Sequence, residues 1–439
     1  MATPTAGTPR LLRAINDRAA LELLLTHGSL TRPQLGELTG LSKPTASLLL
    51  ARLEQGGLVM RDGMREGATG RAAEVYRINP AAAFVVGLDV SPVRIRVAVA
   101  DLVGTVIGEH TLRTPGRSGA DVIGRVRSAT ESAARAGGLG LGDLNRVVVG
   151  IQGAIDPATG RLGYAAHIPG WHVPDITGRI AEGLGDLRVA IENDVNLAAL
   201  AERDGGQAAD ARDFVLLWVG DGIGLAVVLG GLLHRGATGG AGEIGYMPLV
   251  GAPLIRDVRR THTGGMQLAA GTPAILKLMR GYGFRGTDAV NAVGRAAAAA
   301  AAAVAAATAA DSADPDAAAD PATADTATAA DTAAAADTAA AADTADPGTA
   351  ALTELATRLG IALANVVAVV DPELIILSGD VLHAGGEPLR ALIERELHSM
   401  TIPRPRLRLG SVQGNPVLAG ALRLALAEAR DEVFSGTVP

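Results

Sequence analysis

Two glycine-rich turns punctuate residues 219–247, and each follows a short apolar run. The first reads Gly220-Asp221-Gly222-Ile223-Gly224, and the second ends in Gly242-Glu243-Ile244-Gly245-Tyr246. Glycine permits positive φ and lets a backbone approach a ligand closely. Two tight hairpin connections would also produce this pattern. The turns alone therefore leave a structural and a ligand-binding interpretation open.

The length and composition limit the class of protein. A chain of 439 residues predicts two or three domains. Hydrophobic residues make up 48% but aromatics only 2%, so the core must consist of Val, Leu, Ile and Ala. The absence of cysteine excludes a disulfide and a thiolate metal site. The start lacks an apolar leader, and no strongly apolar run reaches the roughly 20 residues that span a bilayer. We therefore expect a cytoplasmic protein without a membrane partner.

The net charge of −7 is unevenly distributed along the chain. Residues 1–80 contain ten Lys or Arg and seven acids, which gives this part a charge of +3. Residues 296–350 contain nine Asp and no base. Because most of the acidity lies in that one low-complexity tract, an acidic chain does not argue against DNA binding by its N-terminal part.

The first 80 residues carry the pattern of three helices followed by a β-ribbon. Apolar residues recur at helical spacing over 10–27, Thr31 and Ser42 precede two shorter helices, and Gly40 ends the first of these. Two strands around a loop rich in Gly and Arg follow. This order predicts a winged helix-turn-helix, although the helices alone would also fit a plain three-helix bundle.

The third helix and the loop between the two strands carry side chains suited to DNA. The first turns of a recognition helix reach base edges in the major groove. Arginines in a glycine-flanked loop suit contacts to phosphates or the minor groove. The predicted contacts are Ser42, Lys43, Thr45, Ser47, Arg65 and Arg71. We expect a homodimer or a dimer of dimers on palindromic double-stranded operator DNA.

The glycine-rich turns, taken together, resemble the signature of the ROK family, which unites bacterial sugar kinases and sugar-responsive repressors. Residues 70–80, reading GRAAEVYRINP, resemble the link from the DNA-binding domain to the effector domain in ROK repressors. The resemblance implies an α/β chain: an N-terminal winged helix-turn-helix, then a two-lobed actin-like (ribonuclease H-like) ATPase-fold effector domain. One position departs, since the family usually has His where this chain has Tyr246.

The predicted domain boundaries follow from these patterns. The winged helix-turn-helix occupies 1–80, and the effector domain occupies 81–295 and 351–439. Residues 296–350 are almost entirely Ala, Asp and Thr. Alanine favours helix, but we see no apolar stripe that would dock such a helix on a core. We therefore predict a largely disordered insertion with helical ends.

The position of a kinase phosphate loop is altered in this chain. In ROK kinases the first turn of the effector domain reads Asp-x-Gly-Gly-Thr-Lys, and the matching residues here run from Asp89 to Arg94 without the paired glycines. Pro92 has no backbone N–H, whereas a nest for phosphate oxygens needs consecutive free N–H groups. We predict that this turn does not hold ATP, and we assign no catalytic residue and no cofactor.

Asn193 and Asp194 lie where a strand hands over to a helix, a place that favours both residue types as helix caps. They also suit polyol recognition, because a carboxylate accepts from a hydroxyl while an amide both donates and accepts. In ROK kinases the matching Asp is the base that deprotonates the accepting hydroxyl. The two interpretations are compatible, and we predict ligand contact. Trp171 lies in a loop that resembles the family's sugar-side loop, and either packing or ligand stacking would explain it.

The zinc loop of the family has no counterpart here. Its three cysteine positions fall on Val258, Arg260 and Gly265, and its sugar-binding Glu falls on Gln267. No tetrahedral zinc site survives, so we predict no metal. The resemblance implies a ligand site made of residues at the family's sugar positions. These are Asn193, Asp194, Glu243, Tyr246 and Gln267.

These observations predict a transcriptional repressor of carbohydrate-related genes, controlled by a sugar or sugar derivative. A sugar kinase with an appended DNA-binding domain is the alternative from another class. A regulator whose pocket is vestigial is the third.

Overall fold

The computed structural model describes residues 9–66, 72–114, 121–163, 168, 170–220, 222–249, 252–255, 264–311 and 346–435. The chain divides into two compact units. The first contains residues 1–201 and 414–439, and the second contains residues 202–413. The N-terminal domain and the last helix of the chain therefore belong to one unit.

The N-terminal elements follow the order predicted for a winged helix-turn-helix. They are α1 (Pro9–His27), β1 (Leu30–Thr31), α2 (Arg32–Thr39), α3 (Lys43–Gln55), β2 (Val59–Glu66) and β3 (Ala72–Ile78). Thr31 and Gln34 form a reciprocal capping box at the start of α2, and Gly40 ends that helix at φ 70°. The strands form one antiparallel sheet in the order β1-β3-β2. A paired wing excludes the plain three-helix bundle.

The core of this domain is not confined to residues 1–80. Leu21, Leu49 and Tyr76 are buried there together with Leu102 and Phe434, which lie far outside the predicted boundary. The boundary at residue 80 thus falls between the secondary-structure elements of two domains, but the core of the N-terminal domain extends across it. An isolated fragment 1–80 would expose the apolar surface that Leu102 and Phe434 cover.

The first unit also contains a five-stranded sheet in the order β10-β7-β4-β5-β6. Its strands are β4 (Phe84–Ser91), β5 (Arg94–Asp101), β6 (Val106–Arg113), β7 (Arg146–Ile151) and β10 (Arg188–Asn193). Strands β4, β5 and β6 are antiparallel neighbours, whereas β7 and β10 run parallel to β4. The helices of this part are α4 (Val122–Ala136), α5 (Ile176–Gly183), α6 (Asp194–Gly205) and α12 (Pro416–Ser435), and a small hairpin joins β8 (Ala154–Ile155) to β9 (Leu162–Gly163).

The second unit repeats this sheet topology, in the order β13-β12-β11-β14-β15. Its strands are β11 (Phe214–Val219), β12 (Ile223–Leu229), β13 (Leu232–Leu233), β14 (Leu374–Ser378) and β15 (Arg406–Leu409). An antiparallel trio is again extended by two parallel strands. The helices are α7 (Gly265–Ala270), α8 (Thr272–Gly281), α9 (Ala289–Asp311), α10 (Pro347–Val370) and α11 (Asp380–Met400). Two copies of this sheet, each with helices, confirm the predicted actin-like fold.

The alanine-rich tract is partly built into the second core. Helix α9 runs to Asp311, and Ala296, Ala297 and Ala300 are buried in the core cluster. A Cβ at Gly348 of α10 would overlap the backbone of Ala296. The prediction that these alanines present no stripe to dock is therefore wrong for the start of the tract, because alanine itself allows close helix packing. Residues 312–345 lie outside the described residues, so the rest of the predicted insertion stays a prediction.

Among the described residues, two helices are long and apolar enough to cross a membrane by length and composition, namely residues 289–306 of α9 and the whole of α10. No such apolar run was expected from the sequence. Both helices contribute buried residues to the core of the second unit, among them Ala292, Leu355 and Leu363. Core packing therefore accounts for their apolar character.

Candidate functional sites

Helix α3 presents one face to the core and the other to solvent. Ala46, Leu49, Leu50 and Leu53 are buried, and Ser42 caps the helix by accepting from the N–H of Thr45. Lys43 and Thr45 are exposed in the first turn. The predicted DNA-reading residues thus lie on the outward face of a properly capped helix.

Arg32 and Leu48 also belong to this surface, although neither was predicted to contact DNA. Arg32 is held there by Ser47, which was predicted. The hydroxyl of Ser47 donates to the carbonyl of Lys43 at 2.9 Å and accepts from Nη1 of Arg32 at 3.0 Å, so it is already engaged. Arg32 thereby reaches α3 from the first turn of α2. Leu48 is 69% exposed on the same face as Thr45, one turn along. The sequence could have indicated this exposure, because the spacing of Leu48 relative to the buried leucines places it outside the face of α3 that packs on the core.

A buried ion pair fixes α3 against α1. Asp17 is fully buried, and it accepts from Arg52 of α3 through both guanidinium Nε, at 3.0 Å, and Nη2. Bidentate geometry is the strongest form of such a pair, and the carboxylate of Asp17 is the fully buried partner, whereas Arg52 is 35% exposed. The angle of α3 thus depends on Asp17.

The wing carries several cations, most of them already paired. Arg61 bonds to Glu54 and Glu74, and Arg77 bonds to Asp62 at 3.1 Å. The Ser29 hydroxyl, followed by the Arg77 charge, lowers the pKa of Asp62 below its usual range.

Of the two wing arginines predicted to contact DNA, one lies outside the part of the chain that the structure describes. That residue is Arg71. Arg65 is exposed, and among the described residues it forms no ion pair; its Nη2 lies 3.5 Å from the carbonyl of Ser29. Its guanidinium keeps its charge available for phosphate.

Asn193 caps α6, as one of the two interpretations predicted. Its Oδ1 accepts from the N–H of Val195 at 2.9 Å and of Asn196 at 3.1 Å, and its Nδ2 donates to the carbonyl of Gly153 at 3.1 Å. The amide oxygen is therefore committed to the helix, which leaves one N–H of the side chain for other contacts.

Asp194 is the most perturbed carboxyl of the first unit. It is half-buried, and this burial raises its pKa to about 7, with the negative charge of Asp89 adding to the effect and the N–H of Val195 opposing it. Burial also raises the pKa of Asp89, against the hydrogen bond that Asn415 donates at 2.6 Å. A carboxyl that titrates near neutral pH can accept a proton from a hydroxyl or hold one.

The second unit holds the remaining candidate ligand residues. Gly242, at φ 93°, packs so tightly on β12 that a Cβ would overlap the carbonyl of Leu225, whose N–H bonds to the Gly242 carbonyl at 2.9 Å. This contact clamps the second glycine-rich turn, which continues through half-buried Glu243 and Tyr246. The side chain of Gln267 on α7 lies against Gly245. Glu243, Tyr246 and Gln267 thus belong to one cluster of loops in this unit, and Asn193 and Asp194 belong to the first unit.

The first glycine-rich turn is packed in a comparable way. The hydroxyl of Thr272 donates to the carbonyl of Gly220. Gly379 has φ 95°, and a Cβ there would overlap the carbonyl of Val219 at the end of β11. The backbone approach that glycine permits is used here for packing between neighbouring strand ends.

The turn that matches the kinase phosphate loop is a two-residue hairpin between β4 and β5. Ser91 pairs with Arg94, and Pro92 and Val93 form its tip. Thr114 bonds to both carbonyls of the tip, through its hydroxyl to Pro92 at 3.0 Å and its N–H to Val93 at 2.9 Å. The tip is therefore held by its carbonyl oxygens, and Pro92 supplies no N–H to an anion.

Trp171 is 3% exposed within the core of the first unit, which confirms packing as its role. Of the positions matched to zinc ligands, Val258 and Arg260 lie outside the described residues. Gly265 is described, at the start of α7. Among the described residues, no group of three or more His, Asp or Glu is arranged to hold a metal ion.

Comparison with known proteins supports the fold. A profile of the ROK family matches residues 85–428, and a profile of the winged helix-turn-helix DNA-binding family matches residues 13–60. The chain is 27% identical over 249 residues to the xylose repressor of Caldicellulosiruptor bescii, an alignment that covers 55% of this chain and 60% of that relative. The chain thus spans about three fifths of the length of the curated relatives that it matches.

Two solved structures are similar over most of the chain. A ROK family transcriptional regulator, described as a homologue of the E. coli MLC protein, covers 97% of this chain and 99% of its own at TM-score 0.66 and 19% identity. The ROK hexokinase of Thermus thermophilus covers 79% of this chain and 99% of its own at TM-score 0.55 and 25% identity. The similarity to the first structure, at this identity, concerns the fold alone.

Proposed function

The chain belongs to the ROK family, and from that premise we propose that it is a DNA-binding transcriptional repressor controlled by a sugar-like ligand. The observation that carries this proposal is the winged helix-turn-helix ahead of the ROK domain, with a capped recognition helix exposed on its outer face. The xylose repressors among its relatives support the repressor over the kinase.

On the DNA side, Lys43 and Thr45 are proposed to contact base edges, with Leu48 beside them for a thymine methyl group. Arg32, Arg65 and Arg71 are proposed to hold phosphates, together with the helix N-terminus at Ser42. Ser47 serves the surface indirectly, by holding Arg32. A two-fold symmetric operator implies that the repressor acts as a homodimer or a dimer of dimers.

On the ligand side, Asp194 and the remaining N–H of Asn193 are proposed to bind hydroxyls of a polyol. Glu243, Tyr246 and Gln267 are proposed as the ligand contacts of the second unit. Gln267 stands where the family has Glu, so one charge-assisted hydrogen bond is replaced by a neutral one, a net loss of about 1–1.5 kcal/mol. We therefore expect modest affinity, and a modified sugar or polyol in preference to free glucose.

A sugar kinase is the second candidate, favoured by a single observation. Asp194 has the raised pKa expected of a base that works near neutral pH. Phosphoryl transfer also needs a cradle for the donor, and Pro92 at the tip of the β4–β5 hairpin offers no consecutive N–H groups. The repressor is the better proposal because it needs no phosphate loop.

The test is selection of genomic DNA fragments by the full-length protein, followed by footprinting with and without D-xylose, glucose and N-acetylglucosamine. A protected palindrome that responds to one of these sugars supports the proposal. Protection that no sugar changes supports a regulator with a vestigial pocket. If the protein binds no duplex in a salt-dependent manner, the proposal of DNA binding is contradicted.

A variant pair makes the test specific. Lys43→Ala with Arg71→Ala should weaken binding and lower the slope of log K against log salt by about 1 per protomer, because each phosphate contact contributes about 0.9 and only Arg71 is proposed to contact a phosphate. Lys277→Ala with Arg280→Ala is the matched control, since it removes the same two types of side chain from exposed positions on α8. An equal loss in this control would show that net charge alone explains the effect.

A further inference from the structure

Helix α12 (Pro416–Ser435) is 20 residues long, so it spans about 30 Å. Its first residue follows Asn415. The side chain of Asn415 donates to Asp89, whose charge acts on Asp194. Its last turn carries Phe434, which is buried in the winged helix-turn-helix domain. One straight element thus connects the candidate ligand residues of the first unit with the candidate DNA-reading domain.

The N-terminal end of α12 is anchored beside the ligand residues. The Oδ1 of Asn415 accepts from the N–H of Leu418 at 3.1 Å, which caps the helix, while its Nδ2 donates to Asp89 at 2.6 Å. Arg96 approaches the same oxygen of Asp89 at 3.5 Å. The charge of Asp89 acts in turn on Asp194. A ligand that changes the ionisation or position of Asp194 therefore acts on the anchor of α12.

The middle of α12 touches α6, the helix that begins at Asp194, backbone against backbone. A Cβ at Gly420 would overlap the carbonyl of Leu197, and Arg423 donates to the carbonyl of Ala201. Gly150 of β7 likewise leaves room for Val417 and Leu197. Such contacts leave no slack, so a displacement of α6 must move α12 or break the packing.

The C-terminal end of α12 completes the core of the winged helix-turn-helix domain. Phe434 is 2% exposed in the cluster that contains Leu21 and Leu53 of α1 and α3. Arg18 of α1 bonds to Asp431 at 2.5 Å. The recognition helix therefore shares its core with the end of α12.

We propose that α12 transmits the state of the ligand site to the recognition helix, with Asn415 and Phe434 as its two points of attachment. This inference rests on the proposed function, since it names the regulation of the same two sites. Coupling between distant sites requires an element whose position both sites bias, and α12 is packed against both. Asn415 and Phe434 are positioning residues that contact neither DNA nor ligand.

The experiment is a double-mutant cycle in the full-length protein on the duplex recovered by selection. Asn415 lies at the end of α12 that is remote from the DNA-binding domain. Its replacement by Ala should change the DNA dissociation constant by about fivefold or more, the lower range of allosteric coupling. In the Phe434→Leu background, which keeps an apolar side chain, the same substitution should change it less than twofold. A non-additive cycle of this kind marks coupling through the helix.

Asp288→Ala is the matched control. Its side chain also caps a helix, since it accepts from the N–H of Asn291 at 2.8 Å at the start of α9 in the second unit. The substitution should leave the DNA dissociation constant unchanged. The proposal is overturned if Asn415→Ala has no effect, if Asp288→Ala has the same effect, or if the effect persists in the Phe434→Leu background.

A second readout requires neither DNA nor a known ligand. Hydrogen exchange of amides in α1 and α3 should accelerate in Asn415→Ala and stay unchanged in Asp288→Ala. If no duplex binds the wild-type protein, the proposed function fails, and the exchange data still decide whether α12 links the two sites. Unchanged exchange in α1 and α3 would refute the link.

Discussion

Replacing Asp194 by Asn should remove a carboxyl whose ionisation opposes folding at neutral pH. The folded-state pKa of about 7 lies above the ordinary value of 3.8, so the folded protein holds a proton that the unfolded chain has released. The contribution of the Asp194 carboxyl to the free energy of unfolding is fully present below pH 4 and is lost as pH rises towards 7. The gap of about 3 pH units, at about 1.4 kcal/mol each, sets a limit of about 4 kcal/mol.

The assay is urea denaturation between pH 4.5 and 8, followed by fluorescence of Trp171 in a Trp218→Phe background. Trp171 lies in the core of the first unit, so its signal reports the part that contains Asp194. The stability of wild type minus that of Asp194→Asn should fall by about 2–3 kcal/mol over this range, the lower figure allowing for the partial exposure of the side chain.

Asp186→Asn is the control, because it makes the same substitution on an exposed side chain of the same unit. It should show no comparable change with pH relative to wild type. Asp89→Asn should slightly reduce the pH dependence of the Asp194 effect, since burial mainly raises the pKa of Asp194 and the charge of Asp89, which adds to it, is removed. A difference between wild type and Asp194→Asn that stays flat from pH 4.5 to 8 would refute the burial argument.

Three further outcomes are expected. Gly242→Ala should lower thermal stability, because a methyl group there would overlap the Leu225 carbonyl; differential scanning calorimetry checks this, with Gly222→Ala as a control in open space. Glu202→Gln should destabilise the protein to urea by about 1–3 kcal/mol, because its buried carboxylate accepts three backbone N–H groups, including that of Ser411 at 2.8 Å. A coupled assay with ATP and hexoses should stay at background, and turnover that Asp194→Asn abolishes would revive the kinase.

The helix boundaries of the N-terminal domain were predictable because their signals are local. Thr31 with Gln34, Gly40 and Ser42 each mark a helix end within a few residues, and the structure confirms all three ends. The apolar face of α3 follows from its 3.6-residue period. The exposed position of Leu48 follows from the same period. Leu48 was not predicted as a DNA contact because its side chain is apolar, whereas the predicted contacts are polar or charged.

The contacts between distant parts of the chain were not predictable. Phe434 lies some 400 residues from the helices whose core it fills, and Asn415 is separated from Asp89 by 326 residues. No periodicity links such pairs. Alanine misled for another reason: a residue with so small a side chain suits both an undocked helix and the closest helix packing, as Ala296 and Ala300 do here.

The β4–β5 turn and the start of α12 are joined through one side chain, that of Asp89. Asp89 opens the turn that in ROK kinases holds phosphate, and here its carboxylate accepts from Asn415 at 2.6 Å while Pro92 closes the hairpin. A carboxylate engaged in this way anchors the N-terminus of α12, which it could not do as freely if a nucleotide phosphate occupied the turn. The predicted loss of phosphate binding and the attachment of α12 thus concern the same side chain. Asp89→Asn should therefore weaken the hold on α12 without creating a nucleotide site, since Pro92 still supplies no N–H.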